Sequence, residues 1–139
     1  MAYATAADMV TRFGDLEVIE ITDRNGDGLI DEDVAAVALE DATAEINGYL
    51  TRYKLPFIEV PTILKRLCCD IARYRLSATS NVLITEEIER RYRIDVLNLL
   101  KGLAKGEVSL GIEEDGDEVA TGDVVQFVNS KNRIFARDN

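Results

Sequence analysis

Thr62–Leu76, TILKRLCCDIARYRL, is the stretch whose pattern decides the fold. Ile63, Leu64, Leu67, Cys68, Ile71, Ala72 and Tyr74 recur at helical steps and form a broad apolar stripe, which predicts that this helix is the most buried element. Pro61 suits its first position, where the missing amide hydrogen would have had no partner anyway. Cys68 and Cys69 are the only cysteines and are adjacent, so they leave the helix in different directions and build neither a disulfide framework nor a four-ligand metal site. They read as small core residues in a reducing compartment.

Upstream, KLPFIEVP (residues 54–61) interrupts the helical pattern, because each proline lacks an amide hydrogen and biases the preceding residue towards an extended conformation. Before it, Val34, Val37, Ala38, Ala42, Ile46, Tyr49 and Leu50 predict one long helix from about Asp31 to Tyr53, opened by an acidic DED at its N-terminus. Nearer the start, Thr5 followed by Asp8 resembles a capping box, Met9, Val10 and Phe13 form an apolar side, and Gly14 stops the turn. The next segment, LEVIEIT, mixes helical spacing with β-branched residues and is assigned to a helix. Downstream, Thr85 caps a helix with Glu86 and Glu87 in its first turn and Ile88, Tyr92, Val96, Leu99 and Leu103 on one face. Gly102 and Gly106 fit its C-terminal end.

These segments predict a mainly α fold, a small bundle of about four to five helices over residues 1–110. Residues 111–139 fall outside that pattern. GIEEDGDEVATGD is acidic and glycine-containing, as an exposed linker is, and VVQFVNSKNRIFARDN alternates like a strand, which predicts an extended C-terminal arm that orders on a partner.

With 139 residues, 47% of them hydrophobic and 30% charged, the chain suits one compact domain. No stretch approaches the roughly 18 apolar residues of a membrane span, and MAYATAADMV lacks the basic start and apolar run of a signal peptide, so the expected location is the cytoplasm, with no membrane partner. Histidine and tryptophan are absent, which removes the usual near-neutral proton shuttle. Nor is there a glycine-rich phosphate loop, a GxSxG elbow or HExxH. The expectation is a protein that is not an enzyme.

The net charge of −10 is unevenly spread: residues 1–50 carry 12 acidic and 2 basic side chains, residues 51–105 carry 6 and 11, and residues 106–139 carry 8 and 3. Such polarity suits head-to-tail contact between copies, although solvated helix faces would account for it equally. The basic middle, with Lys65, Arg66, Arg73, Arg75, Arg90, Arg91 and Arg93, would also allow DNA contact, which the acidic flanks and the sequence pI of about 4.5 oppose.

The sharpest local motif is Asp23-Arg24-Asn25-Gly26-Asp27-Gly28-Leu29-Ile30-Asp31. It places oxygen side chains where an EF-hand loop has positions 1, 3, 5 and 9, here Asp23, Asn25, Asp27 and Asp31, with glycine at position 6 for the sharp turn. The bidentate acid of position 12 is missing, since Val34 stands there and Asp33 is one residue out of register. A calcium-responsive binding module with a weak calcium site is therefore the alternative to a turn whose Asp and Asn side chains bond local amides and cap the next helix. No other cofactor is expected.

Read in order, MAYATAADMVTRFG, TDRNGDGLID, EINGYLTRYKLP, VPTILKRLCCDIARYRL, ERRYRIDVLNLLKGLAKGEVSLG and NRIFARDN resemble a family of Mu-like phage and prophage proteins of similar length, associated with the head-to-tail connection. The resemblance runs over nearly the whole chain. It implies an adaptor of the virion neck, a small helical bundle that assembles in the host cytoplasm as a dodecameric ring beneath the portal. Its implied partners are further copies of itself, the portal protein and the next neck or tail-completion protein, with DNA at most passing through the ring lumen. The family brings no catalytic residues. Arg133, Phe135 and Arg137 of the arm are the expected portal contacts.

Overall fold

The structure is a computed structural model that describes residues 1–80, 82 and 84–112. Three of its helices begin where short polar side chains satisfy orphan amides. The Thr5 hydroxyl accepts from the Asp8 amide at 3.2 Å while the Asp8 carboxylate accepts from the Thr5 amide at 2.9 Å, launching α1 (Ala6–Phe13). Gly14, at φ 91°, joins α1 to α2 (Asp15–Thr22), so LEVIEIT is helical as expected. Asp31 caps α3 (Glu32–Asn47) through the Val34 amide. After the proline segment comes α4 (Thr62–Thr79). Thr85 caps α5 (Glu86–Arg90), which continues through a π-helical segment (Arg91–Val96) into α6 (Leu97–Lys105). Among the described residues the architecture is therefore five helical rods, a mainly α bundle. No helix among them is long and apolar enough to cross a membrane.

α4 occupies the centre and packs against α1, α2, α3, α5 and the π segment. Leu64, Leu67, Cys68, Cys69, Ile71, Ala72 and Leu76 are buried, and so are Asp70, Arg73 and Ser77, which makes the stretch from Leu67 to Arg73 buried on every side. Cys68 and Cys69 do point to different sides, yet both meet protein. Burial raises both thiols, Cys69 to about 12, so each stays protonated and unreactive.

Three details depart from the sequence pattern. The helix expected to reach Tyr53 ends at Asn47, and tight turns from Ile46, Asn47 and Leu50 return Leu50 and Tyr53 to the core. Such turns keep a three-residue step, so apolar spacing alone does not separate them from helix. Pro61 is the extended cap of α4 and not its first helical residue, and Ile63 is 36% exposed. In the last rod the buried face is Ile88, Tyr92, Val96, Leu100 and Leu103, with Leu99 only partly buried. A four-residue step overshoots an α-helical turn by about 40°. Three in succession would rotate off the core. The wider π turn absorbs that drift, so Leu100 replaces Leu99 at the interface.

Gly106, at φ 82°, ends α6, with the amides of Gly106 and Glu107 returning to the carbonyls of Leu103 and Gly102. A Cβ on Gly102 would lie 2.8 Å from Val108 Cγ2, so glycine is needed for the chain to fold back over α6. The Leu110 amide then donates to the Tyr53 hydroxyl at 3.0 Å, fastening residue 110 to the turns after α3.

The π segment makes a testable distinction. Leu100→Ala should lower stability by about 2–5 kcal/mol through lost burial and a cavity, while Leu99→Ala should cost under about 1.5 kcal/mol. Urea unfolding of both variants measures this, and an equal or reversed order would mean that the rod is α-helical throughout.

Candidate functional site: the acidic turn and the charge lattice

In the turn that joins α2 to α3, the oxygen ligands of the EF-hand-like pattern are turned towards their own backbone. Asp23 Oδ1 accepts from the amides of Gly26 at 2.8 Å and Asp27 at 3.3 Å, and Oδ2 accepts from Gly28 at 2.9 Å. Asp27 Oδ1 accepts from the Leu29 amide, and Asp31 Oδ1 from the Val34 amide. The Asp31 amide donates to the buried Thr22 hydroxyl, which donates to the Val18 carbonyl, so the turn is tied to α2. Gly26 and Gly28 take φ of 79° and 75°, which admits the double reversal. Asn25 is exposed at the apex. No group of three or more acidic or thiol side chains able to hold a metal comes together among the described residues. Each of the three aspartates already does the work of a turn or a cap.

The charge split along the sequence meets itself across the bundle. Lys65 of α4 lies 3.7 Å from Asp8 of α1, Arg75 donates to Glu45 of α3 at 2.7 Å, and Arg73 makes a bidentate pair with Glu17 of α2. Arg73 also stacks on the Phe13 ring at 4.5 Å and lies 3.8 Å from Glu87 of α5. Tyr92 stacks on Tyr74 with centroids 4.4 Å apart and donates its hydroxyl to Glu45 at 2.6 Å. Burial, and then that bond to Glu45, push Tyr92 up to about 12. Of the basic residues that would have allowed DNA contact, Lys65, Arg66, Arg73, Arg75, Arg91 and Arg93 form ion pairs within the subunit.

Asp70 is the exception in this lattice. Its side chain is 3% exposed, with Arg66 and Arg91 each 3.7 Å away, and Oδ2 accepts no hydrogen bond among the described residues. Burial raises its pKa above the usual carboxylate range, against the pull of Arg91, Arg66, Arg73 and Arg12. Nothing in the sequence pattern singles out Asp70, and Arg73 counts there only as one of the basic residues open to DNA, although both sit inside the apolar run of α4, where a charge must find a partner. Arg133, Phe135 and Arg137 lie outside the described residues, as does most of the expected linker and arm.

The Asp23 amide bonds, that of Gly28 first, hold its carboxyl below the ordinary value. The sign follows: this contribution is present above the unfolded value of about 4 and is lost as pH falls through the lower folded one. With the carboxylates engaged and the twelfth ligand missing, thermal midpoints in calcium and in chelator should agree within about 2 °C. A large upward shift at micromolar calcium would show a working site. For Asp70 the sign is opposite, because a raised acid destabilises the fold above its folded pKa and the penalty fades as pH falls. Asp70→Asn should therefore raise the denaturant midpoint at neutral pH, with the advantage shrinking towards about pH 4. A lower midpoint for the variant at pH 7 would mean that the two arginines outweigh desolvation.

Comparison with known proteins finds relatives over most of the chain. Gene product J of Escherichia phage Mu is 34% identical over 139 residues, spanning 99% of this chain and 96% of that protein. The Mu-like prophage FluMu protein gp36 of Haemophilus influenzae is 36% identical over 110 residues, spanning 78% of this chain and 74% of that protein. The family described as Bacteriophage Mu, Gp36 matches residues 3–129, the whole bundle and most of the sequence beyond it. The chain belongs to the Bacteriophage Mu Gp36 family.

Proposed function

We propose that this phage protein is a structural subunit of the virion neck, an adaptor that forms a ring and joins the portal of the head to the tail. The observation that carries this reading is a mismatch of extents. The described helices end at Lys105 and the Leu110 amide meets the Tyr53 hydroxyl near the end of the described residues, while the family match runs on to residue 129 and one relative aligns over 99% of the chain. A family match that takes in the C-terminal sequence makes that sequence part of what the family shares, and terminal segments are common places for docking a partner. The sequence there supports a docking role: an acidic spacer is followed by VVQFVNSKNRIFARDN, with Arg133 and Arg137 flanking the apolar Phe135. In this reading the bundle forms the ring, the tail grips the portal, a tail-completion protein sits on the opposite side and DNA passes through the lumen. The role is mechanical, not enzymatic.

Deleting residues 124–139 should leave helicity and the melting midpoint nearly unchanged and abolish attachment to purified portal. A phage carrying the deletion should accumulate filled heads and separate tails. Unfolding of the truncated chain would assign the tail to the core, and normal joining of heads to tails would place the docking surface elsewhere.

A further inference from the structure

Once the internal ion pairs are formed, two helix faces keep charge of opposite sign, and each carries one exposed apolar side chain. The first is the outer side of α3, with Asp33, Val37, Glu40 and Asp41. Val37 is 61% exposed and borders a groove of about 660 Å³ between α3 and α4, with an apolar floor that includes Val34, Ala38 and Leu76. The groove's own cations are occupied, Arg75 by Glu45 and Arg24 by the Thr79 hydroxyl at 3.0 Å. Asp33 and Asp41 form no ion pair among the described residues.

The second face is the outer ridge of the last rod, where Arg90, Ile94, Lys101 and Lys105 are all exposed and Ile94 is 52% exposed. Here the acids Glu87 and Glu89 are occupied by Arg91 and Arg93, which leaves Glu86 and Asp95 against Arg90, Lys101 and Lys105 among the described residues. Ile94 stands on the exposed side of the π segment. On α3, Val37 lies four residues from each aspartate, about 6 Å along the axis. On the ridge, Ile94 lies four residues from Arg90 and seven from Lys101. An apolar centre with a charge on either side is thus present on both faces, with opposite signs.

We propose that the ridge of one copy, centred on Ile94, seats in the α3–α4 groove of a second copy beside Val37, with Arg90 and Lys101 meeting Asp41 and Asp33. The two faces differ, so the contact is head-to-tail and repeats from copy to copy, the kind that closes into a ring when the rotation allows. An apolar centre excludes water while charges at its edge fix register and exclude the reversed pairing. That the chain of contacts closes rests on the neck-ring reading; the pairing of the two faces does not.

The test uses full-length chains carrying Val37→Cys or Ile94→Cys and a short thiol-to-thiol crosslinker, with Cys68 and Cys69 protected by burial. Each variant alone should stay uncrosslinked, their mixture should give a covalent dimer, and the double variant should give a ladder. Mixing Val37→Glu with Ile94→Glu should produce heterodimers that grow no further, since each chain keeps one working face. If unmodified chains associate, alone or on purified portal, and the mixture gives no dimer, the assignment of faces is overturned while the ring reading stands. If unmodified chains associate under neither condition, both are overturned.

Discussion

The burial of α4 on every side is the constraint on which the rest of the structure depends. Leu67 to Arg73 spans nearly two helical turns, and no residue in it reaches solvent freely. An amphipathic helix needs one covering surface, whereas this one needs a neighbour in each direction, and α1, α2, α3, α5 and the π segment supply them. Burying a charge with no partner costs several kcal/mol, so the two charges in the span dictate what their neighbours present. Arg73 obtains a bidentate carboxylate and an aromatic face. Asp70 obtains two arginines at 3.7 Å and no hydrogen bond on Oδ2 among the described residues, so for it desolvation outweighs attraction.

The same logic organises the long-range electrostatics. An acidic first half and a basic middle would repel within themselves if each faced water alone. Folding interleaves them around α4, placing Asp8, Glu17 and Glu45 against Lys65, Arg73 and Arg75. Many of these groups are a third or more exposed, so individual pairs add at most about 1 kcal/mol and act chiefly in fixing which helix lies beside which. Neutralisation inside the subunit has a second effect. It subtracts most of the basic patch that would have drawn DNA and leaves, among the described residues, charges on the outer faces of α3 and the last rod. A charge count from the sequence therefore overstates the field that a partner meets.

Much of the bundle was legible in the sequence because its determinants are local. Thr5, Asp31 and Thr85 cap helices through side chains that reach three residues along the chain, and Gly14 and Gly106 end them by adopting positive φ. The aspartates of the turn at residues 23–31 were readable as ligands or as turn formers, and in the folded chain they bond the amides of Gly26, Gly28, Leu29 and Val34. Spacing of apolar residues gave the type of each rod but not its phase. Leu99 and Leu100 are equally apolar, and the choice between them rests on how many residues a turn contains where Tyr92 meets Tyr74 and Glu45. Likewise Ile63 and Val37 look like core in any periodic reading, yet both are exposed, because a helix stripe can be wider than the surfaces that cover it. The sequence by itself determined the helices, their caps and their polarity, since these depend on contacts within about one turn. Which charges are neutralised between helices, which apolar residues remain outside and which carboxylate is stranded were decided only by tertiary structure, because each depends on how segments distant in the chain pack, as Arg73 with Glu17 and Arg75 with Glu45 do.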